Sequence, residues 1–342
     1  MQHSCIKNLL QKEKIIGIIF FLMFSSFHSV AFGQFSPDDK WGVFIHFIPD
    51  SAMNRFPKDF TPEKWNDWVN NFDAKGLAKQ LSTTGADYAF ITVEHHAGYF
   101  CSPNRTVDSI VKWDVSHCSK RDLVMDLAKE LRKYNIKPCV YIQSRAPDGD
   151  SLSVAKLKWK IGQHRNKEFQ QMWEQVIKEY AVRWGDTIHA WWVDCAYYID
   201  SMYLPKDEPN QYSLARALKA GNPKIEIALN PGTRTQVKPH LDIETFSAGE
   251  LDYFLAISGY RPMGKTRWFN TSEAMKGKQV FFLTFLGQWW GWGAPRFPDE
   301  LVYGYTKHII NRGGKMTWDM PIGTNGLIDK DALRQIKLLK KL

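Results

Sequence analysis

Ala190-Trp191-Trp192-Val193-Asp194 is a run of four apolar residues that closes on a carboxylate. Short and almost wholly apolar, it reads as a buried strand of the kind found in parallel sheets. Comparable runs lie on either side: Gly42 to Ile48, Tyr88 to Glu94, Cys139 to Gln143, Ile225 to Leu229, Ile243 to Phe246, Val280 to Phe285 and Lys315 to Trp318. Between them come longer amphipathic stretches, including Ala74–Ser82, Lys120–Tyr134, Asn166–Trp184 and Leu301–Asn311. In Lys120–Tyr134, Leu123, Leu127 and Leu131 recur every four residues and form one apolar stripe. Strands alternating with helices predict a parallel sheet with helical crossovers. Eight such rounds in about 300 residues predict an α/β fold of the (β/α)8 TIM-barrel type, in a single domain. A doubly wound open sheet is the alternative.

The chain has 342 residues, 44% hydrophobic and 24% charged, an ordinary globular balance with enough apolar side chains for a large core. Its 14 Trp, 13 Tyr and 21 Phe are a richer aromatic endowment. Such rings serve a core, and they also suit sugar binding, where the C–H face of a pyranose packs on an aromatic face. Lys7, Lys12 and Lys14 precede the apolar run Ile15 to Phe24, and Ala31-Phe32-Gly33 supplies small residues before Gln34. This pattern predicts a signal peptide over residues 1–33, a mature domain over 34–342, and a secreted or periplasmic protein with no membrane span after its removal. The formal charge of +9 would fall by two, three Lys less Glu13, to about +7. A basic surface is compatible with an anionic polysaccharide. No basic run of the nucleic-acid type occurs. Cys101, Cys118, Cys139 and Cys195 show no C-x-x-C spacing, so neither a zinc site nor a redox motif is indicated. An oxidising compartment would permit a Cys101–Cys118 bridge.

Barrel enzymes keep their chemistry at the C-terminal ends of the strands. Polar residues collect there: His46 after the first strand, Glu94-His95-His96 after the second, Asp194 after the fourth and Asn230 after the fifth. Glu244 and Glu250 follow the sixth, and Asp319 the last. Two carboxylates in an aromatic pocket are the machinery of glycoside hydrolysis, one as nucleophile or base and one as acid. Asp194 is the better-placed member, because a carboxylate closing an apolar strand is costly unless it has a task. A structural Asp capping a loop is the bland alternative. For the acid, Glu250 is favoured and Glu244 is the alternative. His46, His95 and His96 are read as binding sugar hydroxyls rather than a metal, since the His-x-His of zinc-dependent barrels is absent and adjacent strand residues face opposite ways.

Several of these segments together resemble the α-L-fucosidases, glycoside hydrolase family 29. Trp41-Gly42-Val43-Phe44-Ile45-His46-Phe47 is similar to that family's first strand, and Gly85-Ala86-Asp87-Tyr88 with Thr92-Val93-Glu94-His95-His96-Ala97-Gly98-Tyr99 to its second. Lys120-Arg121-Asp122-Leu123-Val124 matches K-R-D-L-V, and Trp192-Val193-Asp194 matches the strand that carries its nucleophile. Asn311-Arg312-Gly313-Gly314 and Pro321 to Ile328 resemble its closing segment. The resemblance implies a retaining, double-displacement hydrolysis of a terminal α-L-fucosyl or related deoxy- or L-sugar linkage, without cofactor or metal, on an oligo- or polysaccharide. Asp194 would be the nucleophile, and His46, His95, His96 and Trp192 would hold the sugar. Where the family's acid pattern D-x-x-T-x-E would end, this chain reads Asp242-Ile243-Glu244-Thr245-Phe246-Ser247, and Glu250 follows three residues later. The family's K-H-H-D-G has become Glu94-His95-His96-Ala97-Gly98. A carbohydrate-binding barrel without catalysis, and a metal-dependent hydrolase, are the rival readings.

Overall fold

The computed structural model describes residues 35–49, 60–233, 237–251 and 277–342. The expected signal peptide lies outside the described residues. Seven strands form one parallel sheet: β1 (Trp41–Ile45), β2 (Tyr88–Thr92), β3 (Lys137–Gln143), β4 (Ala190–Asp194), β5 (Glu226–Leu229), β6 (Phe281–Phe285) and β7 (Lys315–Asp319), in the order β5-β4-β3-β2-β1-β7-β6. Each neighbouring pair is parallel, as at Gln143 opposite Asp194 and Phe44 opposite Asp319. Helices α1 (Pro62–Asn71), α2 (Ala74–Ser82), α3 (Arg105–Val111), α4 (Leu123–Arg132), α5 (Ser151–Lys156), α6 (Lys167–Trp184), α7 (Ile199–Met202), α8 (Gln211–Leu218) and α9 (Asp299–Ile310) lie between strands, and α10 (Lys330–Lys337) follows β7. This is a TIM-like α/β architecture.

Local chemistry sets the helix ends. Asp122 caps α4 by accepting from the Met125 amide at 3.1 Å. Arg121 beside it donates to the carbonyls of Val69 at 2.7 Å and Phe72 at 2.9 Å, covering orphan acceptors at the end of α1. The Lys120-Arg121-Asp122 motif is thus a joint between two helices. The stripe of Leu123, Leu127 and Leu131 is buried, as its spacing predicts.

Alternation along the strands divides the core into two layers. Trp191 and Val193 of β4 belong to the large cluster between sheet and helices. Ala190 and Trp192 belong to an inner cluster with Phe44, Tyr88, Phe90, Cys139, Tyr141, Ala228 and Phe281. Phe35 plugs the N-terminal end of that inner layer. Its ring meets Tyr88 at 5.3 Å, Phe281 at 4.8 Å and His189 at 4.5 Å. Its backbone N–H donates to Glu226 and its carbonyl accepts from Gln279 at 2.8 Å.

The expected strand Ile243 to Phe246 is not a regular strand. Thr245 N–H donates to the Ile227 carbonyl of β5 at 2.8 Å. The same stretch bonds to β6, through Leu283 N–H to Gly249 O at 2.9 Å and Leu251 N–H to Leu283 O at 2.8 Å. Parallel bridges pair Phe246 with Gln279 and Glu250 with Leu283. Between them, hydroxyls stand in for backbone groups. Thr245 Oγ1 accepts from Ile227 N–H at 2.9 Å, and Ser247 Oγ accepts from Phe281 N–H at 2.9 Å while donating to Phe281 O at 3.0 Å. Side chains that compete for ladder bonds break the ladder's regularity. Gly249 passes through φ +69°, where a Cβ would sit 1.8 Å from the Phe281 carbonyl oxygen.

Glu244, just before this segment, is buried and spends both oxygens on backbone. Oε1 accepts from Leu229 N–H at 3.0 Å; Oε2 accepts from the amides of His240 at 2.5 Å and Leu241 at 2.7 Å. Burial outweighs these donors and pushes its pKa up to about 7. The four cysteines among the described residues are free and buried, so Cys101 and Cys118 are not bridged.

Two stability measurements test this architecture. Phe35→Ala should cost about 3–5 kcal/mol in denaturant unfolding, as for other buried Phe truncations; a cost below ~1 kcal/mol would mean the base needs no plug. The second follows from Glu244. The folded protein keeps this proton up to about pH 7, whereas an unfolded glutamate loses it near 4.3. Its contribution is therefore complete below about pH 4 and is lost as pH rises through 7, by an amount on the order of 3 kcal/mol. Denaturant midpoints from pH 4.5 to 8 should show this decline in the native chain and a flatter profile in Glu244→Gln; parallel profiles would refute it.

Candidate active site

The alternation that builds the inner layer also carries it upward into polar residues. Continuing the inward-facing positions of each strand by two residues reaches His46 from Phe44, Gln143 from Tyr141, Asp194 from Trp192 and Asn230 from Ala228. Phe246 and Ala248, both in the inner cluster, lead in the same way to Glu250.

Asp194 ends β4 and is held on both oxygens. Tyr141 donates its hydroxyl to Oδ2 at 2.6 Å, and Asn230 donates Nδ2–H to Oδ1 at 2.7 Å. Burial and the nearby Asp194 charge raise the Tyr141 pKa well above the usual phenol value, so it remains a donor at every physiological pH. Tyr141 in turn stacks on Trp192, centroids 5.5 Å apart and 19° from parallel. The Trp192 indole N–H donates to Ala248 O at 3.3 Å, tying this floor to the irregular segment.

The Asn230 amide does a second job. Its Nδ2 also donates to Glu250 Oε2, while its Oδ1 accepts from Gly232 N–H at 3.1 Å. That last bond fixes the amide so that NH2 faces both acids. Carboxyl oxygens that share one nitrogen donor lie no more than roughly 5–6 Å apart, two hydrogen-bond lengths. Glu250 and Asp194 therefore form one constellation, and Glu244, facing backbone amides, stands outside it.

His46 is clamped from behind. Its Nδ1 lies 2.5 Å from Oδ1 of the fully buried Asp319, and the other Asp319 oxygen accepts from Gly291 N–H. A carboxylate on Nδ1 sets the tautomer and leaves Nε2 for the pocket. The ring stacks on Phe44 at 4.7 Å and stands 5.8 Å from Tyr141, 6.2 Å from His95 and 5.5 Å from Trp290. His95 faces Tyr141 at 5.9 Å. His96 turns to the loop after β3, between Asp148 at 2.6 Å and Arg145, whose Nη2 reaches Nε2 at 2.9 Å. Burial, then the charges of His95 and Arg145, lower its pKa and favour the neutral ring. Glu94 is buried and its Oε1 accepts from Gln143 N–H at 2.8 Å, fastening the chain after β2 to β3.

The structure thus brings His46, His95, Trp192, Asp194 and Glu250 together and sets His96 beside them. It adds Tyr141, which in sequence is one more aromatic in an apolar strand. The usable signal was register: Tyr141 is opposite Trp192, and both lie two residues before a polar strand end. Among the described residues, no group of three or more His, Cys, Asp or Glu side chains converges as metal ligands. No described helix is long and apolar enough to cross a membrane.

The family model described as Alpha-L-fucosidase matches residues 46–250, from the His46 strand to Glu250. A putative alpha-L-fucosidase of Caenorhabditis elegans is 31% identical over 91 residues, 27% of this chain and 17% of that protein. Among solved structures, the endo-fucoidan hydrolase MfFcnA4 of glycoside hydrolase family 107 superposes with a TM-score of 0.66 at 16% identity, covering 88% of this chain and 52% of its own. An alpha-L-fucosidase of family 29 from Bacteroides thetaiotaomicron superposes with a TM-score of 0.59 at 16% identity, covering 90% of this chain and 74% of its own. At these identities the structural likeness is one of fold. The chain spans about a sixth of the worm protein and about half of the fucoidan hydrolase. With the family model matched over more than half of its length, the chain belongs to the α-L-fucosidase family.

Proposed function

We propose that this protein is a secreted glycoside hydrolase that cleaves a terminal α-L-fucosyl, or closely related deoxy- or L-sugar, linkage with retention of configuration. The observation that carries the reading is the Asn230 amide, which holds Asp194 and Glu250 as a close carboxyl pair. Retaining enzymes need their two carboxyls about 5–5.5 Å apart, whereas inverting ones leave space for a water between them. The irregular segment at 245–251, bonded to both β5 and β6, would serve as the eighth member of a closed (β/α)8 barrel.

In the first step Asp194 attacks the anomeric carbon while Glu250 gives its proton to the departing glycosidic oxygen. A covalent glycosyl ester results, and the alcohol leaves. In the second step Glu250, now a carboxylate, takes a proton from water, and the hydroxide so formed displaces Asp194. Both groups return to their starting states, and two inversions leave the configuration unchanged. Tyr141 and Asn230 orient the nucleophile from two sides. His46, with Asp319 on its Nδ1, offers Nε2 to a sugar hydroxyl; His95 stands beside it, and Trp192 and Tyr141 form the aromatic floor. His96 contributes through the Arg145–Asp148 cluster. A fucosyl polymer bearing anionic substituents fits the basic formal charge, +9 for the chain and about +7 without residues 1–33.

Aryl α-L-fucosides, with related aryl L- and deoxy-glycosides, are the direct test. Asp194→Asn should lower kcat by about a thousandfold or more. Glu250→Ala should lose about a hundredfold or more, and regain rate with azide as an external nucleophile that needs no general base. If no glycoside of the panel is cleaved, the hydrolase reading fails in favour of a binding protein; azide-insensitive loss would remove Glu250 from the acid/base role. Asp319→Asn should raise KM about tenfold with a smaller change in kcat, as expected when a histidine loses its orienting anion but the carboxyl pair stays intact. An equal fall in kcat alone would contradict that role.

A further inference from the structure

The stretch Gly287-Gln288-Trp289-Trp290-Gly291-Trp292-Gly293 follows β6 and has no role in the mechanism above. It is a tight hairpin: Trp289 N–H donates to Trp292 O at 3.1 Å, and Trp292 N–H donates to Trp289 O at 3.0 Å. Its turn is locked to the sugar pocket. Gly291 N–H donates to Asp319, the residue that clamps His46. Gly291 lies so close to His46 that a Cβ on it would meet the His46 carbonyl oxygen at 3.0 Å. Trp290 faces His46 at 5.5 Å and Phe285 at 4.9 Å. Trp289 rests on the same Phe285 ring at 5.4 Å, so both indoles pack on one residue of β6.

Their exposures differ. Trp290 is partly buried, whereas Trp289 is 40% exposed, the one exposed tryptophan among the described residues. A large apolar ring held in solvent by a tight turn that is itself bonded to Asp319, beside His46, is a stacking surface. Beneath the indole, Phe285 is braced from its other contacts by Arg296, whose guanidinium carbon lies 3.6 Å from the ring centroid. The platform is therefore fixed before any ligand arrives, so stacking costs little ordering.

We propose that Trp289 is the wall of a second sugar subsite, which takes the pyranose on the leaving-group side of the scissile bond. This rests on the hydrolase reading: the sugar to be transferred fills the floor between His46 and Asp194, so a unit at the rim beside His46 belongs to the departing chain. Trp289 would then set which oligosaccharides are accepted while taking no part in bond breaking.

The experiment compares two substrates that share a donor. α-L-Fucosyl fluoride has no ring in its leaving group; a fucosyl-terminated di- or trisaccharide does. Trp289→Ala should leave kcat/KM for the fluoride within about twofold, and raise KM for the oligosaccharide about tenfold with kcat little changed. Trp289→Phe should recover most of the loss. Equal effects on both substrates, or none on the oligosaccharide, would overturn the subsite. If the native chain cleaves neither, the hydrolase reading fails, and calorimetric titration of the same oligosaccharide decides the subsite separately. Affinity that drops about tenfold in Trp289→Ala supports it; unchanged affinity, or no binding by the native chain, rejects it.

Discussion

Every feature of this site depends on one constraint, the two-residue alternation of side chains along parallel strands. Ala190, Trp192 and Asp194 share a face because β4 is extended, and the same rule aligns Phe44 with His46 and Ala228 with Asn230. Apolar residues fill the lower positions of that face and polar ones the last. The packed inner layer fixes the backbones that carry the polar groups. A slip of one residue in β4 would send Asp194 to the helix layer and Trp191 into the pocket. Fold and site are consequently one arrangement rather than a scaffold with chemistry added.

Within that frame, the fate of three glutamates shows why acidity alone does not choose a catalyst. Glu244 has the raised pKa expected of a general acid, about 7. Yet three backbone amides occupy its oxygens, and it works as a clasp between β5 and the loop that follows. Glu94 is equally buried, and its Oε1 is taken by the Gln143 amide. Of the three, Glu250 meets Asn230, the residue that also holds Asp194. Proton transfer needs reach before it needs a matched pKa, and reach separates the three.

The irregular segment between β5 and β6 is the structural price of that placement. Thr245 and Ser247 use their hydroxyls where a strand would use its backbone, and Gly249 takes a left-handed turn against Phe281. Ser247, at the position where the family pattern ends in Glu, is buried and spent on β6. An acid there would lie against a carbonyl. Three residues on, Glu250 has returned to the inward face, bridged to Leu283.

The sequence by itself determined seven of the eight strands read from it, because each is a short apolar run whose burial is local information: β4 spans Ala190–Asp194 as read, and the helix α2 likewise spans Ala74–Ser82. It also set Asp194 and His46 at strand ends, where the packed inner layer gives way to polar residues. What it could not contain is which partners meet across the sheet. The meeting of Glu250 with Asn230, the hydroxyl of Tyr141 on Asp194 and the Asp319 clamp on His46 all join residues from different segments, from 20 to 273 positions apart. Such pairings depend on register and ring orientation, which the tertiary packing sets once the inner layer is filled.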